Sequence, residues 1–179
     1  MSSESAARAT TVSGPVISVT PLSVDLGRMN VGSMANADYA ISNTGDASLN
    51  LSSPTWTGPV QSVILSPLTI PAGGSGTMTV NVMPMAGGPF SGTATINSDA
   101  ANGPFTVNFS GMGNTAPMLD PIGDKSGFAF VNLAFDVTAS DAEGDALTFG
   151  VAGLPVGATF DSNTGHFDWT PGAADAGSY

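Results

Sequence analysis

From Pro15 onward the chain alternates apolar and polar residues in short runs broken by glycine, proline and asparagine. Ala37, Tyr39 and Ile41 stand at period two, as do Met78, Val80 and Val82, Ala94 and Ile96, and Phe105, Val107 and Phe109. That period puts each set on one face of a strand, the face turned to a core. Ile17 to Thr20 and Ser23 to Leu26 predict a first strand interrupted at Pro21, because proline cannot donate to a ladder. Leu49 and Leu51 lead towards Trp56, and Val60 to Leu65 supply a further short strand. Turns are expected at Asn43-Thr44-Gly45-Asp46 and Pro71-Ala72-Gly73-Gly74-Ser75-Gly76, and Asn102-Gly103 is a hairpin signal. The pattern predicts about seven strands over residues 15–113, as in an immunoglobulin-like sandwich.

Gly113-Asn114-Thr115 is the natural boundary, since Pro117 begins a new register. Ile122, Phe128 and Phe130 lead into Leu133, Phe135 and Val137 at period two, and Leu147, Phe149 and Val151 predict the next strand. Gly153 to Ala158 reads as a loop, and Asn163-Thr164-Gly165 turns the chain into Phe167 and Trp169. The expected architecture is all-β: two tandem immunoglobulin-like β-sandwiches over residues 15–113 and 114–179. Residues 1–14, rich in Ser, Ala and Thr, are expected to form a disordered leader or linker.

Composition narrows the function. Only 9% of residues are charged, yet fourteen are Asp or Glu against three Lys or Arg, for a net charge of −11. Nothing on such a chain neutralises phosphates, which excludes nucleic acid as a partner, and the same balance opposes docking on an anionic membrane. No apolar run reaches the length of a membrane span, so direct insertion is not expected. With no cysteine, disulfides and thiolate metal sites are both excluded. The first residues lack the apolar core of a secretory signal. Export is then signalled elsewhere, or the chain is an internal piece of a longer one, or the protein does not use that pathway.

Nine of the fourteen acids lie after residue 113. Asp141-Ala142-Glu143-Gly144-Asp145 puts three carboxylates around a glycine between two alternating runs. Carboxylates this close repel unless a cation or water lies between them, and oxygen-only clusters suit calcium. Asp141, Glu143 and Asp145 are therefore candidate calcium ligands, with Asn114 or Asp120 approaching from the module boundary. The competing reading is a solvated acidic hairpin in which Gly144 turns and aspartate caps backbone groups. His166 and Asp168 would share a strand face, but no nucleophile elbow accompanies them, so catalysis is not expected. Trp56 and Trp169 read as core or interface filler, with sugar stacking as the alternative. The methionines, Met78 among them, read as core packing. Asn50 and Asn108 open glycosylation triplets without a secretion signal to support them.

The motifs Val24-Asp25-Leu26-Gly27, Ile41-Ser42-Asn43-Thr44-Gly45, Phe90-Ser91-Gly92-Thr93 and Phe109-Ser110-Gly111 fall in the order found in the ASH family. The first module resembles the bacterial members of that family, the choice-of-anchor D repeats. The resemblance implies an MSP-like immunoglobulin architecture with scaffolding or adhesive roles and no shared catalytic site. Asn114-Thr115-Ala116-Pro117, Leu154-Pro155-Val156-Gly157-Ala158, Trp169-Thr170-Pro171 and Gly177-Ser178-Tyr179 carry the second likeness. That module is similar to cadherin-like repeats of the dystroglycan type. In the family the Gly-Ser-Tyr element opens a long final strand, so the second sandwich is expected to lack its last strand. The expectation is a fragment of a longer repeat protein, or else a partner chain that donates the strand.

Together these readings point to a non-enzymatic structural or adhesive module of a large extracellular bacterial repeat protein, with calcium as the candidate cofactor. Its partners would be neighbouring modules of the same chain, or other surface proteins and glycans. Two alternatives accompany this reading. One is a phage virion decoration or tail-fibre module; the other is a carbohydrate-binding accessory module of a secreted enzyme.

Overall fold

The structure, a computed structural model, describes residues 14–177, so all but the last residue of the expected leader lies outside the described residues. The chain divides into two compact units, Met1–Asn114 and Thr115–Tyr179. No helix occurs among the described residues.

The first unit is a sandwich of two sheets. One sheet has the order β1 (Ile17–Thr20), β3 (Ala35–Asn43), β7 (Ser75–Val82), β5 (Val60–Ser66). The other runs β2 (Ser23–Asn30), β9 (Phe105–Asn114), β8 (Gly88–Ser98), β4 (Leu49–Trp56), β6 (Thr69–Ile70). All pairings are antiparallel except β2 with β9, which is parallel. The period-two residues meet between the sheets as expected. Tyr39, Ile41, Met78, Val80, Val82, Ala94, Ile96, Val107 and Phe109 are each at most 1% exposed. Tyr39 also donates its hydroxyl to the Asn108 carbonyl at 2.5 Å, and burial pushes its pKa up to about 12.

The expected first strand is in fact two strands in opposite sheets. The ladder of β1 with β3 ends at Thr20↔Ala40, and the chain crosses over at Pro21 to pair Ser23 with Asn108. A proline without an N–H is a natural point to leave one ladder and join another. The hairpin expected at Asn102-Gly103 is formed, joining β8 to β9, but not by a two-residue turn. The connection from β8 to β9 runs from Asp99 to Pro104, and Gly103 does not adopt a positive φ. Asn102 is instead used as a strand mimic. Its amide donates to the Ile17 carbonyl at 2.8 Å, and its oxygen accepts from the Ile17 N–H at 3.1 Å.

The two Phe-Ser-Gly motifs face each other across β8 and β9. Their register is Phe90↔Gly111, Ser91↔Ser110 and Gly92↔Phe109. Each ring therefore occupies the space a side chain would take on the opposing glycine. A Cβ on Gly92 would meet Phe109 Cζ at 2.2 Å, and one on Gly111 would meet Phe90 Cζ at 2.5 Å.

Asn43, 1% exposed, organises the Asn-Thr-Gly turn. Its Oδ1 accepts from the N–H groups of Val16 and Gly45, at 3.3 and 3.1 Å. Its Nδ2 donates to the carbonyls of Ala47, Ile70 and Pro71, at 2.7, 3.0 and 3.2 Å. One side chain thus ties β1, the β3–β4 turn and the β6–β7 turn together. Buried backbone polar groups need such partners wherever a ladder ends.

The second unit contains two small sheets. β10 (Met118–Leu119) pairs with β12 (Ala139–Ser140), and β11 (Leu133–Asp136), β14 (His166–Trp169) and β13 (Thr159–Phe160) form the other in the order β11-β14-β13. Phe135 and Phe167 are directly opposed, with stacked rings 4.8 Å apart. Trp169 is buried, its indole N–H donating to the Val156 carbonyl. The strand expected over Leu147, Phe149 and Val151 is not formed; the Phe149 N–H bonds instead to the Ser162 carbonyl. Phe128 and Phe130 lie outside the strands and are 80% and 74% exposed. Phe135, Phe160, Phe167 and Trp169 line an open groove of about 950 Å³.

Candidate functional site

The acidic turn follows β12. Asp141 Oδ1 accepts from the N–H groups of Glu143 and Asp145, at 2.9 and 3.0 Å, and Gly144 has φ of 77°. This is an Asx-type turn, in which the carboxylate replaces the backbone acceptors that a sharp reversal leaves out. Glu143 Oε2 accepts from the Thr115 N–H and hydroxyl, at 2.8 and 2.6 Å. Glu143 therefore pins the start of its own unit. Asp120 is engaged by the Thr138 hydroxyl at 2.6 Å. Among the described residues no three Asp, Glu, His or Cys side chains converge as a metal-holding group. Asp141 Oδ2 is buried without a hydrogen-bond partner.

His166 meets Asp136 rather than Asp168. The two face each other across β11 and β14, with Nδ1 2.6 Å from Asp136 Oδ1. Asp168 accepts from the Asn132 amide at 3.0 Å. The hydrogen bond that His166 donates to Asp136 raises the pKa of His166 above its ordinary 6.5, and the charges of Asp136, Asp168 and Asp161 act in the same direction. A cation favoured by the fold stabilises it below pH 6.5, and this contribution is lost as pH rises through the higher folded-state value. The Tm of the second unit is accordingly expected to fall between slightly acidic and alkaline pH, and His166→Gln should flatten that slope. Melting curves from pH 5 to 9 with identical slopes for both proteins would contradict the assignment.

The first unit carries a polar face of hydroxyls and amides, bordered by Asp25 opposite Ser110. Thr93, Thr95 and Asn97 alternate with buried Ala94 and Ile96 on β8 and point away from the core. Thr95 stands between Thr55 and Thr106, its hydroxyl 2.9 Å from that of Thr106. Thr93 is opposite Asn108 and lies 3.0 Å, hydroxyl to hydroxyl, from Thr57. Ser91 and Ser110 extend the surface. The signal was present in the sequence as the polar half of each alternating run. Trp56, ending β4, is 45% exposed, whereas Trp169 is 7% exposed in its own unit.

Two family models cover the chain in succession: the HYDIN/CFA65/VesB-like Ig-like domain over residues 15–112 and the He_PIG domain, also Ig-type, over residues 116–179. A serine-rich adhesin for platelets from Staphylococcus aureus is 28% identical over 167 residues, which span 90% of this chain and 7% of the adhesin. The adhesin of a second strain is 35% identical over 79 residues, 42% of this chain and 6% of that protein. The chain thus matches only a small part of the length of these curated relatives. Among solved structures, a protein of unknown function from Porphyromonas gingivalis shares the fold. It aligns with a TM-score of 0.50 at 20% identity, over 59% of this chain and 50% of that one. The ASH-type resemblance of the first unit is borne out, and with it the tandem Ig-like architecture: the chain belongs to the HYDIN/CFA65/VesB-like Ig-like domain family, with a second Ig-like domain following the first.

Proposed function

We propose that this chain is a non-enzymatic, adhesive stretch of a large extracellular repeat protein, binding surface proteins or glycans. One observation carries the reading: two Ig-like units follow each other directly, and the first presents a face of hydroxyls and amides with Asp25 at its border. Hydroxyls and carboxamides both donate and accept, so such a face matches sugar hydroxyls or peptide groups. The similarity to platelet adhesins supports the same reading. Calcium enters only through the acidic turn, where Asp141 Oδ2 is a buried acceptor with no partner. Further oxygens would have to complete the set, because Asp141 Oδ1 and Glu143 Oε2 are already engaged.

Beads bearing the 179-residue chain are expected to retain platelets several-fold better than beads bearing an unrelated Ig domain. Retention equal to that control would overturn the adhesive reading. A parallel arm in chelator separates the calcium component, which is removed if retention and Tm are unchanged.

A further inference from the structure

β5 ends its sheet, beside β7. It reads Val-Gln-Ser-Val-Ile-Leu-Ser, with no charged residue and no proline within the strand. Edge strands ordinarily carry a lysine, an inward charge or a proline that blocks further pairing. The irregularity in its ladder lies between Val60 and Ser62, and the pairing with β7 is regular from Ser62 to Ser66. Ile64, in the middle of this regular part, is 53% exposed.

We propose that two copies of the chain pair edge to edge through β5, antiparallel about a two-fold axis at Ile64. In that register Ile64 meets its own counterpart, Val63 meets Leu65, and Ser62 meets Ser66. The strand is thus complementary to itself, as an isologous contact requires. Charge does not oppose pairing at this edge. At a net charge of −11 two copies repel, but along the row through Ile64 the next residues inward are Thr79 on β7 and then Asp38 on β3. The two Asp38 carboxylates would be separated by five strand spacings, about 24 Å, well beyond the ~8 Å screening length of physiological salt. The pairing does not depend on the adhesive reading; it would set copies side by side and continue one sheet across both.

The absence of cysteine makes the test clean. Ile64→Cys introduces a sole thiol that would meet its counterpart at a Cα separation of about 4.5–5.5 Å, within disulfide reach. Gln61→Cys, on the same strand, would lie roughly 20 Å from its counterpart in this register. Under mild oxidation Ile64→Cys is expected to crosslink at least tenfold faster than Gln61→Cys at equal concentration. Sedimentation of the unsubstituted chain should show a concentration-dependent dimer that Ile64→Lys removes without lowering the Tm. Equal crosslinking rates, a strictly monomeric chain or a dimer that survives Ile64→Lys would each overturn the proposal.

Discussion

Gly92→Val is expected to prevent the first unit from folding at 37 °C, and Gly92→Ala to destabilise it by about 3 kcal/mol or more, the upper range for overpacking a core. The ideal Cβ at Gly92 falls 2.2 Å from Phe109 Cζ and 2.4 Å from the Thr57 carbonyl oxygen. Phe109 is 1% exposed, so its ring has nowhere to retreat, and the carbonyl belongs to the backbone. Gly111→Ala offers an internal comparison. Its Cβ would meet the ring of Phe90, which is only partly buried and packs on the rim of the core, as well as the Gly27 carbonyl at 2.9 Å. The smaller loss is therefore expected at Gly111. Urea midpoints followed by near-ultraviolet circular dichroism would settle the ranking; equal midpoints for Gly92→Ala and the unsubstituted chain would refute it.

Asn43→Leu keeps the branched heavy-atom skeleton, at a larger volume, and removes every polar contact of the side chain. Two N–H groups and three carbonyls lose their partner around a side chain that is itself buried. At roughly 1–3 kcal/mol for a buried group left unsatisfied, and allowing for non-additivity, the loss is expected to reach about 3–6 kcal/mol. Asn43→Asp distinguishes hydrogen bonding from packing. It keeps the acceptor for Val16 and Gly45 but turns an oxygen towards the three carbonyls. The introduced carboxyl would have its folded-state pKa raised by burial and by those carbonyls. Its protonated form would then be tolerated below about pH 4, and stability would be lost as pH rises through the folded-state value. Denaturation at pH 4 and pH 7 should therefore show Asn43→Asp closer to the unsubstituted chain in acid; the reverse order would rule out this account.

Much of the first unit was legible because alternation assigns a side chain to a face without knowledge of the partner strand. Ala37, Tyr39 and Ile41 are buried where period two placed them. The turn at Asn43-Thr44-Gly45 was equally readable, since asparagine and glycine both favour turns. Its reach was not. The carbonyls of Ile70 and Pro71 approach Asn43 only when β6 and β7 are in place.

The second unit shows the converse. Leu147, Phe149 and Val151 alternate as well as any strand in the chain, yet none forms there. A ladder needs a neighbour with free N–H and C=O groups at the right register, and alternation says nothing about neighbours. His166 was read with Asp168, two residues away on the same face, but it bonds to Asp136 across the ladder. Directly opposed residues are closer than residues two apart along one strand. The acidic run at 141–145 was visible as chemistry. The division of its oxygens between a turn and Thr115 depends on where β12 delivers the chain.

The sequence by itself determined the all-β class, the faces of the strands and the turn residues, because period and residue type are local properties. Only the tertiary structure decided that β1 and β2 lie in opposite sheets, that Phe90 and Phe109 cover each other's glycines, and that β5 is left as an uncharged edge. Those outcomes depend on pairing between distant segments, whose register is set by the joint packing of both sheets and not by any one segment's pattern.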